Sequence, residues 1–120
     1  MKQKSKDEFS LISKSMSFKG NIKGECDLRI DGYLEGDVTI EGNLFLSENA
    51  SIKGNIFAEN FVCNGRVEGN IVVKDKLTLE NNASILGDIR TKVLVVTEGA
   101  ELNGNCIATK NEINKGEFEK

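Results

Sequence analysis

A five-residue pattern that recurs six times restricts the fold of this chain more than any other feature of its sequence. Each copy consists of an apolar residue, any residue, glycine, asparagine or aspartate, and a second apolar residue. The copies occupy residues 18–22, 34–38, 52–56, 67–71, 85–89 and 102–106. Successive glycines of the pattern are 16, 18, 15, 18 and 17 residues apart. Six copies at nearly even spacing indicate a repeat architecture.

Apolar residues also keep a fixed register with respect to each glycine. Counting back from Gly54, Leu44, Leu46, Ala50 and Ile52 stand at positions −10, −8, −4 and −2, and the same offsets carry apolar residues before the glycines at 87 and 104. A period of two is typical of strands that bury one face. Because the alternation restarts three times in each repeat of about 17 residues, each repeat predicts three short strands separated by corners.

These strands predict an all-β fold, a three-sided parallel β-solenoid of about six coils. One coil cannot be stable alone, but stacking it on the next, about 4.8 Å away, pairs its backbone and closes a continuous core. We expect glycine and asparagine to supply the positive φ of the corners. We place the solenoid at residues 17–108, between a flexible N-terminal tail of residues 1–16 and a charged, flexible C-terminal tail of residues 109–120.

Composition excludes several classes of function. A chain of 120 residues with net charge −3 and a pI near 5.1 lacks the basic balance that nucleic-acid binding requires. No apolar run approaches the roughly 18–20 residues that span a bilayer, and the first residues do not resemble a secretory signal, so we expect a cytosolic location. The three cysteines, Cys26, Cys63 and Cys106, form no C-x-x-C pair, and the chain has no histidine. We therefore expect buried free thiols, no metal or cofactor and no catalytic residue.

The asparagine or aspartate after each pattern glycine is the strongest candidate for a binding site. A column of these residues could hold cations, but only two of the six, Asp37 and Asp88, are carboxylates, and the chain has no G-G-x-G-x-D nonapeptide. We expect the column to hydrogen-bond the backbone of the corners instead. An enzymatic alternative is a left-handed β-helix acyltransferase. Such enzymes have strict hexapeptide repeats and typically use a histidine as a base, and neither feature is present here.

Three apolar residues in the N-terminal segment, Phe9, Leu11 and Ile12, allow two interpretations. They are candidates for a weak contact with a membrane or a partner, because three apolar side chains hold a bilayer only weakly. Alternatively, they form a first strand on the end of the core. The sequence leaves both interpretations open.

Residues 28–38, which read L-R-I-D-G-Y-L-E-G-D-V, together with the later Gly-Asn/Asp-Ile steps and residues 98–104, resemble the bactofilin family. The resemblance covers residues 11 to 108. It implies a right-handed β-helix that polymerises without nucleotide and serves bacterial cell shape or the placement of other proteins. It also implies cell-envelope or morphogenetic proteins as partners and the inner face of the cytoplasmic membrane as a location. Bactofilins commonly carry phenylalanine in the last coil, where this chain has Leu102, and this N-terminus lacks their hydrophobic membrane-targeting start.

The ends of a solenoid expose unpaired strands and an apolar cross-section, which must be capped or paired. The sequence predicts no capping helix, so we expect self-assembly end to end, with identical ends meeting in a filament without polarity. The alternative from another class is a monomeric module that binds a protein partner on its outer strands. The residues predicted to face the joints are Phe18, Ile22, Leu28 and Ile30 at the N-terminal end and Leu94, Val96, Leu102 and Cys106 at the C-terminal end.

Overall fold

The computed structural model describes residues 9–108, with side chains from Ile12 onward, and this range contains fourteen β-strands and no helix. The strands are β1 (Phe9–Ile12), β2 (Ser17–Lys19), β3 (Ile22–Gly24), β4 (Asp27–Ile30), β5 (Tyr33–Glu35), β6 (Val38–Leu46), β7 (Ser51–Lys53), β8 (Ile56–Cys63), β9 (Arg66–Glu68), β10 (Ile71–Leu79), β11 (Ser84–Leu86), β12 (Ile89–Val96), β13 (Glu101–Asn103) and β14 (Cys106–Ala108). Residues 1–8 of the predicted N-terminal tail and the whole predicted C-terminal tail, residues 109–120, lie outside this range.

The strands form two parallel sheets that make three faces. The six-stranded sheet, in the order β13-β11-β9-β7-β5-β2, is the first face. In the eight-stranded sheet the long strands bend in the middle, and their pairing shifts register there, between Ile40 and Asn43 for example. The halves before the bends, with β3 and β14, make the second face, and the halves after the bends, with β1 and β4, make the third. The predicted three-sided parallel β-solenoid is therefore confirmed.

The core fills the space between the three faces with columns of stacked side chains. On the first face, Leu34, Ile52, Val67 and Ile85 pair in register and are each 0% exposed. The third face contributes a column that includes Leu44, Phe61 and Leu77, also 0% exposed. The predicted period of two thus separates inward from outward positions. Thr91 is the buried polar residue of the core, and its hydroxyl donates to the Val93 carbonyl oxygen at 3.2 Å.

The structure corrects the predicted N-terminal boundary of the solenoid. The sheet begins at Phe9 rather than at residue 17, because β1 pairs with β4 from Phe9↔Asp27 to Ile12↔Ile30. The solenoid has five complete turns and part of another, in agreement with the predicted number of about six coils. They begin at β2, β5, β7, β9 and β11, and β13 and β14 add two faces of a further turn.

Glycine alone supplies the positive φ of the corners in the described residues, so the expected contribution of asparagine is wrong. Six of the seven positive-φ glycines are those of the repeated pattern, with φ of +153° at Gly54. A Cβ on Gly54 would also overlap the carbonyl oxygen of Gly36, one turn earlier. Gly32 lacks a positive φ, but a Cβ there would overlap the carbonyl oxygens of Ser13 and Met16. The corner after β4 therefore requires glycine because of close backbone approach.

Candidate assembly ends

At the N-terminal end, strands β2 and β3 leave one edge without a neighbouring strand from the described residues. Their inward side chains, Phe18 and Ile22, are half-buried, whereas Leu34 and Val38, the next residues in the same columns, are 0% exposed. The structure thus places Phe18 and Ile22 where the sequence predicted them, on the first and second faces of this end. Their partial exposure arises because the columns have no preceding turn.

Leu28 and Ile30 do not lie at the N-terminal end, and that prediction is corrected. Strand β1 covers β4, so that Leu28 is 3% and Ile30 0% exposed. Ile12 pairs in register with Ile30 and is the first residue of that column of stacked side chains. It is 7% exposed and packs in the main core. Ile12 is therefore a core residue rather than a membrane contact. The side chains of Phe9 and Leu11 lie outside those that the structure describes.

At the C-terminal end, all four predicted residues lie on the last strands. Leu94, Leu102 and Cys106 are half-buried against the core, while Val96 is 54% exposed. Val96 pairs in register with Leu79, which is 0% exposed. Val96 thus occupies an inward position that lacks the following turn on the third face.

Sequence reasoning missed further apolar side chains near this end. Val93 and Val95, on the outer side of β12, are 45% and 40% exposed, and Ile107 and Leu86 are 50% and 52% exposed. The signal was the unbroken run of four apolar residues, 93–96, which places apolar side chains on both sides of β12. The C-terminal end therefore continues onto an apolar outer surface.

The asparagine and aspartate column forms a ladder of hydrogen bonds along the corner between the first and second faces. The Asn21 Oδ1 atom accepts a hydrogen bond from the Asp37 backbone N–H at 2.9 Å. In the same way, Asp37 Oδ1 accepts from the Asn55 backbone N–H at 3.0 Å, and Asn55 Oδ1 accepts from the Asn70 backbone N–H at 3.0 Å. The ladder continues from Asn70 to Asp88 and from Asp88 to Asn105, both at 3.2 Å. The predicted role of these side chains in satisfying the corner backbone is confirmed. Their oxygens stabilise the stacking of turns.

The three thiols are free, and their environments differ. Cys26 and Cys63 are buried, whereas Cys106 is half-buried at the C-terminal end. Burial raises the pKa of Cys63 to about 12, although its Sγ also lies 3.5 Å from the Gly65 carbonyl oxygen. Burial also raises the pKa of Cys106. Cys63 is therefore a protonated core residue at neutral pH.

Within residues 9–108, no helix has the length and apolar character that crossing a membrane requires.

The chain matches the family model of bactofilins, described as polymer-forming cytoskeletal proteins, over residues 10–107. No curated protein matches it. Among solved structures it is similar to a bactofilin of Thermus thermophilus, seen by cryo-EM in double helical filaments, with 24% identity and a TM-score of 0.66. That match covers 87% of this chain and 95% of the other chain. The likeness extends over the whole solenoid.

Proposed function

Because the chain belongs to the bactofilin family of polymer-forming cytoskeletal proteins, we propose that it assembles end to end, one solenoid stacked on the next. A joint of this kind continues the parallel or antiparallel pairing of strands across subunits on all three faces. It requires only strand edges and apolar side chains, so assembly proceeds without nucleotide. The protein is then a structural element of the cell and not an enzyme.

The observation that carries this proposal is the abrupt change in exposure within single columns of the core. Leu79 is 0% exposed, and its stacked neighbour Val96 is 54% exposed. Ile85 is 0% exposed, whereas Leu102, paired with it, is half-buried. These side chains have the orientation of core residues and lack only a covering turn. A second subunit that supplies the turn would bury the apolar surface and pair the open edge.

We propose that like ends meet, which gives a filament without polarity. Phe18 and Ile22 at one end and Leu102 and Val96 at the other present apolar surface, so either end is chemically compatible with a second copy of itself. The resemblance to bactofilins implies that Leu102 stands at a position where members of the family commonly carry phenylalanine. Leucine keeps the contact apolar but buries less area, so we expect a weaker C-terminal joint than phenylalanine would give.

Blocking one end at a time tests both the joint and its polarity. We expect Leu102→Lys to disable the C-terminal joint and Ile22→Lys the N-terminal joint, because each buries an unpaired charge in an apolar contact. If like ends meet, each variant forms a dimer through its intact end, the double variant is a monomer, and mixing the two variants does not restore filaments. Light scattering after size-exclusion chromatography measures these masses, and circular dichroism checks the fold.

The matched control is Leu86→Lys, because Leu86 lies on the strand beside Leu102 but points outward and is 52% exposed. This variant should polymerise like the unmodified chain. Single-end variants that are monomers alone and pair only when mixed would show head-to-tail joints and exclude a non-polar filament. A double variant that still polymerises would exclude end-to-end assembly. Unmodified protein that stays monomeric at every concentration and salt would favour the alternative, a binding module for a protein partner.

In the cell, we propose a cytoplasmic scaffold, at the inner face of the membrane, that supports cell shape or positions cell-envelope or morphogenetic proteins. Membership of the family supports this role. Since Ile12 lies in the core, any lipid contact depends on residues that precede it. Liposome pelleting of the full chain beside a Phe9→Ser/Leu11→Ser variant tests the contact, and equal pelleting of the two would exclude these residues.

A further inference from the structure

The bends of the long strands stack into a ridge between the second and third faces, and the charges on this ridge are segregated. We define the bend ridge as residues 25–27, 41–43, 59–60, 74–76 and 92–93, one group for each of turns 1 to 5. Turns 1 to 3 contribute the acidic side chains Glu25, Asp27, Glu41 and Glu59. Turns 4 and 5 contribute Lys74, Lys76 and Lys92, with Asp75 as the acidic exception.

The charged side chains of the bend ridge are accessible from outside the molecule. Glu59 is half-buried, and the fully exposed ones include Glu41, Lys74, Lys76 and Lys92. Within residues 9–108, none of these five side chains takes part in an ion pair. The acidic side chains of turns 1 to 3 line one shallow depression. This part of the ridge can therefore accept cationic side chains from another molecule.

An apolar column lies beside the bend ridge, on the outer side of the third face. In this column Phe45 pairs in register with Val62, Val62 with Thr78, and Thr78 with Val95. Phe45 on turn 2 and Val95 on turn 5 are each 40% exposed. Apolar side chains on a flat sheet surface are area that association can remove from water.

We propose that the third face and its bend ridge bind a second copy of this chain, side by side and antiparallel, so that two filaments pair laterally. A two-fold axis between turns 3 and 4 places turn 2 of one copy opposite turn 5 of the other, and turn 3 opposite turn 4. Glu41 then faces Lys92, and Glu59 faces Lys76. The same axis sets Phe45 against Val95, so a single arrangement matches both the charges and the apolar column.

A parallel copy fits this surface less well. A two-fold axis along the solenoid would bring the bend ridge against the opposite rim of the third face, where Glu41 would meet Glu48 of the same turn. In the antiparallel pair Glu48 and Glu98 face each other on that opposite rim. We therefore expect the two third faces to be closest along the bend ridge.

The contact is too small to hold two isolated subunits together. Half-strands of about four residues on five turns give a face of roughly 13 by 24 Å, or about 300 Å² per copy. Stable complexes bury about 800 Å² per partner. The inference therefore rests on the proposed end-to-end filament, in which the contact repeats and its contributions accumulate. Like-end joints reverse successive subunits, so each filament offers both orientations to its neighbour.

Charge reversal in the central turns tests the lateral contact without altering the filament ends. Glu59→Lys places two lysines opposite each other across the axis, and Lys76→Glu places two carboxylates there. We expect each variant to polymerise into single filaments, with a several-fold loss of paired filaments in electron micrographs. The double variant Glu59→Lys/Lys76→Glu should pair again. Preformed filaments of the two single variants should pair after mixing, because each carboxylate then meets a lysine.

The matched controls are Glu35→Lys and Lys53→Glu on the first face, which change the net charge by the same amounts. Both should keep paired filaments. Mass per length, measured by scanning transmission electron microscopy, should be halved in the ridge variants and unchanged in the controls. Circular dichroism checks that every variant keeps the fold.

The possible failures are distinguishable. Single filaments of the unmodified chain at both low and physiological salt would overturn the lateral contact and leave end-to-end assembly standing, whereas the absence of any filament would overturn both. Ridge variants that still pair would show that another surface joins the filaments. Equal loss of pairing in the first-face controls would assign the effect to net charge and also overturn the proposal.

Discussion

The carboxylate of Asp37 accepts a hydrogen bond from the backbone N–H of Asn55, one turn later, at 3.0 Å. The same contact recurs along the corner, and its two carboxylates, Asp37 and Asp88, are separated by Asn55 and Asn70. Three turns at about 4.8 Å place the two charges about 14 Å apart, beyond the screening length of about 8 Å at physiological salt. The column therefore keeps an acceptor on every turn without stacking like charges.

Replacing Asn55 measures the contribution of one step of this ladder. Asn55→Ala removes the acceptor of the Asn70 N–H, which lies at an exposed corner where water replaces it. We expect a loss of about 0.5–1.5 kcal/mol in the free energy of unfolding, measured by urea denaturation of an assembly-blocked variant.

Asn55→Asp is the matched control, because it keeps the acceptor and adds a charge next to Asp37. Its deficit should be largest at low ionic strength and shrink as salt is added. An Asn55→Asp variant whose deficit is independent of salt, or an Asn55→Ala variant as stable as the parent, would contradict the role assigned to the ladder.

The pattern glycines provide a second prediction, since Gly54 and Gly20 share a conformation but differ in surroundings. Gly54 has φ of +153° and lies against the Gly36 carbonyl oxygen. Gly20, with φ of +136°, belongs to the first turn, and a Cβ added to it would lie 3.3 Å from the Phe18 ring rather than against backbone. Gly20→Ala should cost about 1–3 kcal/mol from backbone strain alone. Gly54→Ala must also separate two turns, and we expect about 3–5 kcal/mol or loss of the fold.

Thermal unfolding followed by circular dichroism measures both variants. Gly24→Ala serves as the reference, because Gly24 has no positive φ and an added Cβ would lie 3.4 Å from the Cys26 sulfur, an ordinary contact. Equal losses at Gly54 and Gly20 would show that close backbone approach between turns contributes nothing.

The solenoid itself was predictable because its signal is local and repeated. The alternation around Leu44, Ile52 and Ile56 requires no knowledge of distant contacts, and each turn repeats the evidence of the one before. Strand β1 was not predictable with the same certainty, since it lacks the glycine pattern and is defined by its pairing with β4. The sequence feature that indicates β1 is the number of residues between Ile12 and Ile30, which equals the longer spacing between successive glycines of the repeated pattern.

The candidate ends were predictable only in part, for a related physical reason. Period two identifies Leu102 and Cys106 as inward-facing, and the end of the repeat identifies them as terminal. It says nothing about cover by residues outside the repeat. Burial of Leu28 by β1 depends on a segment that the repeat does not describe.

The buried thiol of Cys63 predicts how stability depends on alkaline pH. Burial raises its pKa from 9.0 to about 12 in the folded state, while the unfolded chain retains the lower value. The folded protein therefore binds more protons between these values. The contribution of the protonated Cys63 thiol to the free energy of unfolding is complete below about pH 9 and is lost as the pH rises toward about 12. The loss amounts to up to about 1.4 kcal/mol per pH unit.

Cys63→Ala removes this titration, so its stability should fall less steeply over the same pH window, even though the cavity lowers its stability at pH 7. Urea denaturation at matched pH values measures both slopes, and because lysine and tyrosine titrate in both proteins, the difference between slopes reports the thiol. Parallel slopes would show that Cys63 titrates alike in the folded and unfolded chains.

Cys106 provides a chemical readout of the C-terminal joint. Its thiol is half-buried at the open end, whereas Cys26 and Cys63 are buried inside the solenoid. Reaction with a maleimide, followed by mass spectrometry, should modify Cys106 first. If like ends meet, Cys106 should react several-fold more slowly in Ile22→Lys dimers, whose C-terminal ends are joined, than in Leu102→Lys dimers, whose C-terminal ends are free.

Cys26 and Cys63 are the internal reference, and their reaction should remain slow in both dimers. Equal rates for Cys106 in the two dimers would place the joint away from β14, even if both variants had the expected mass.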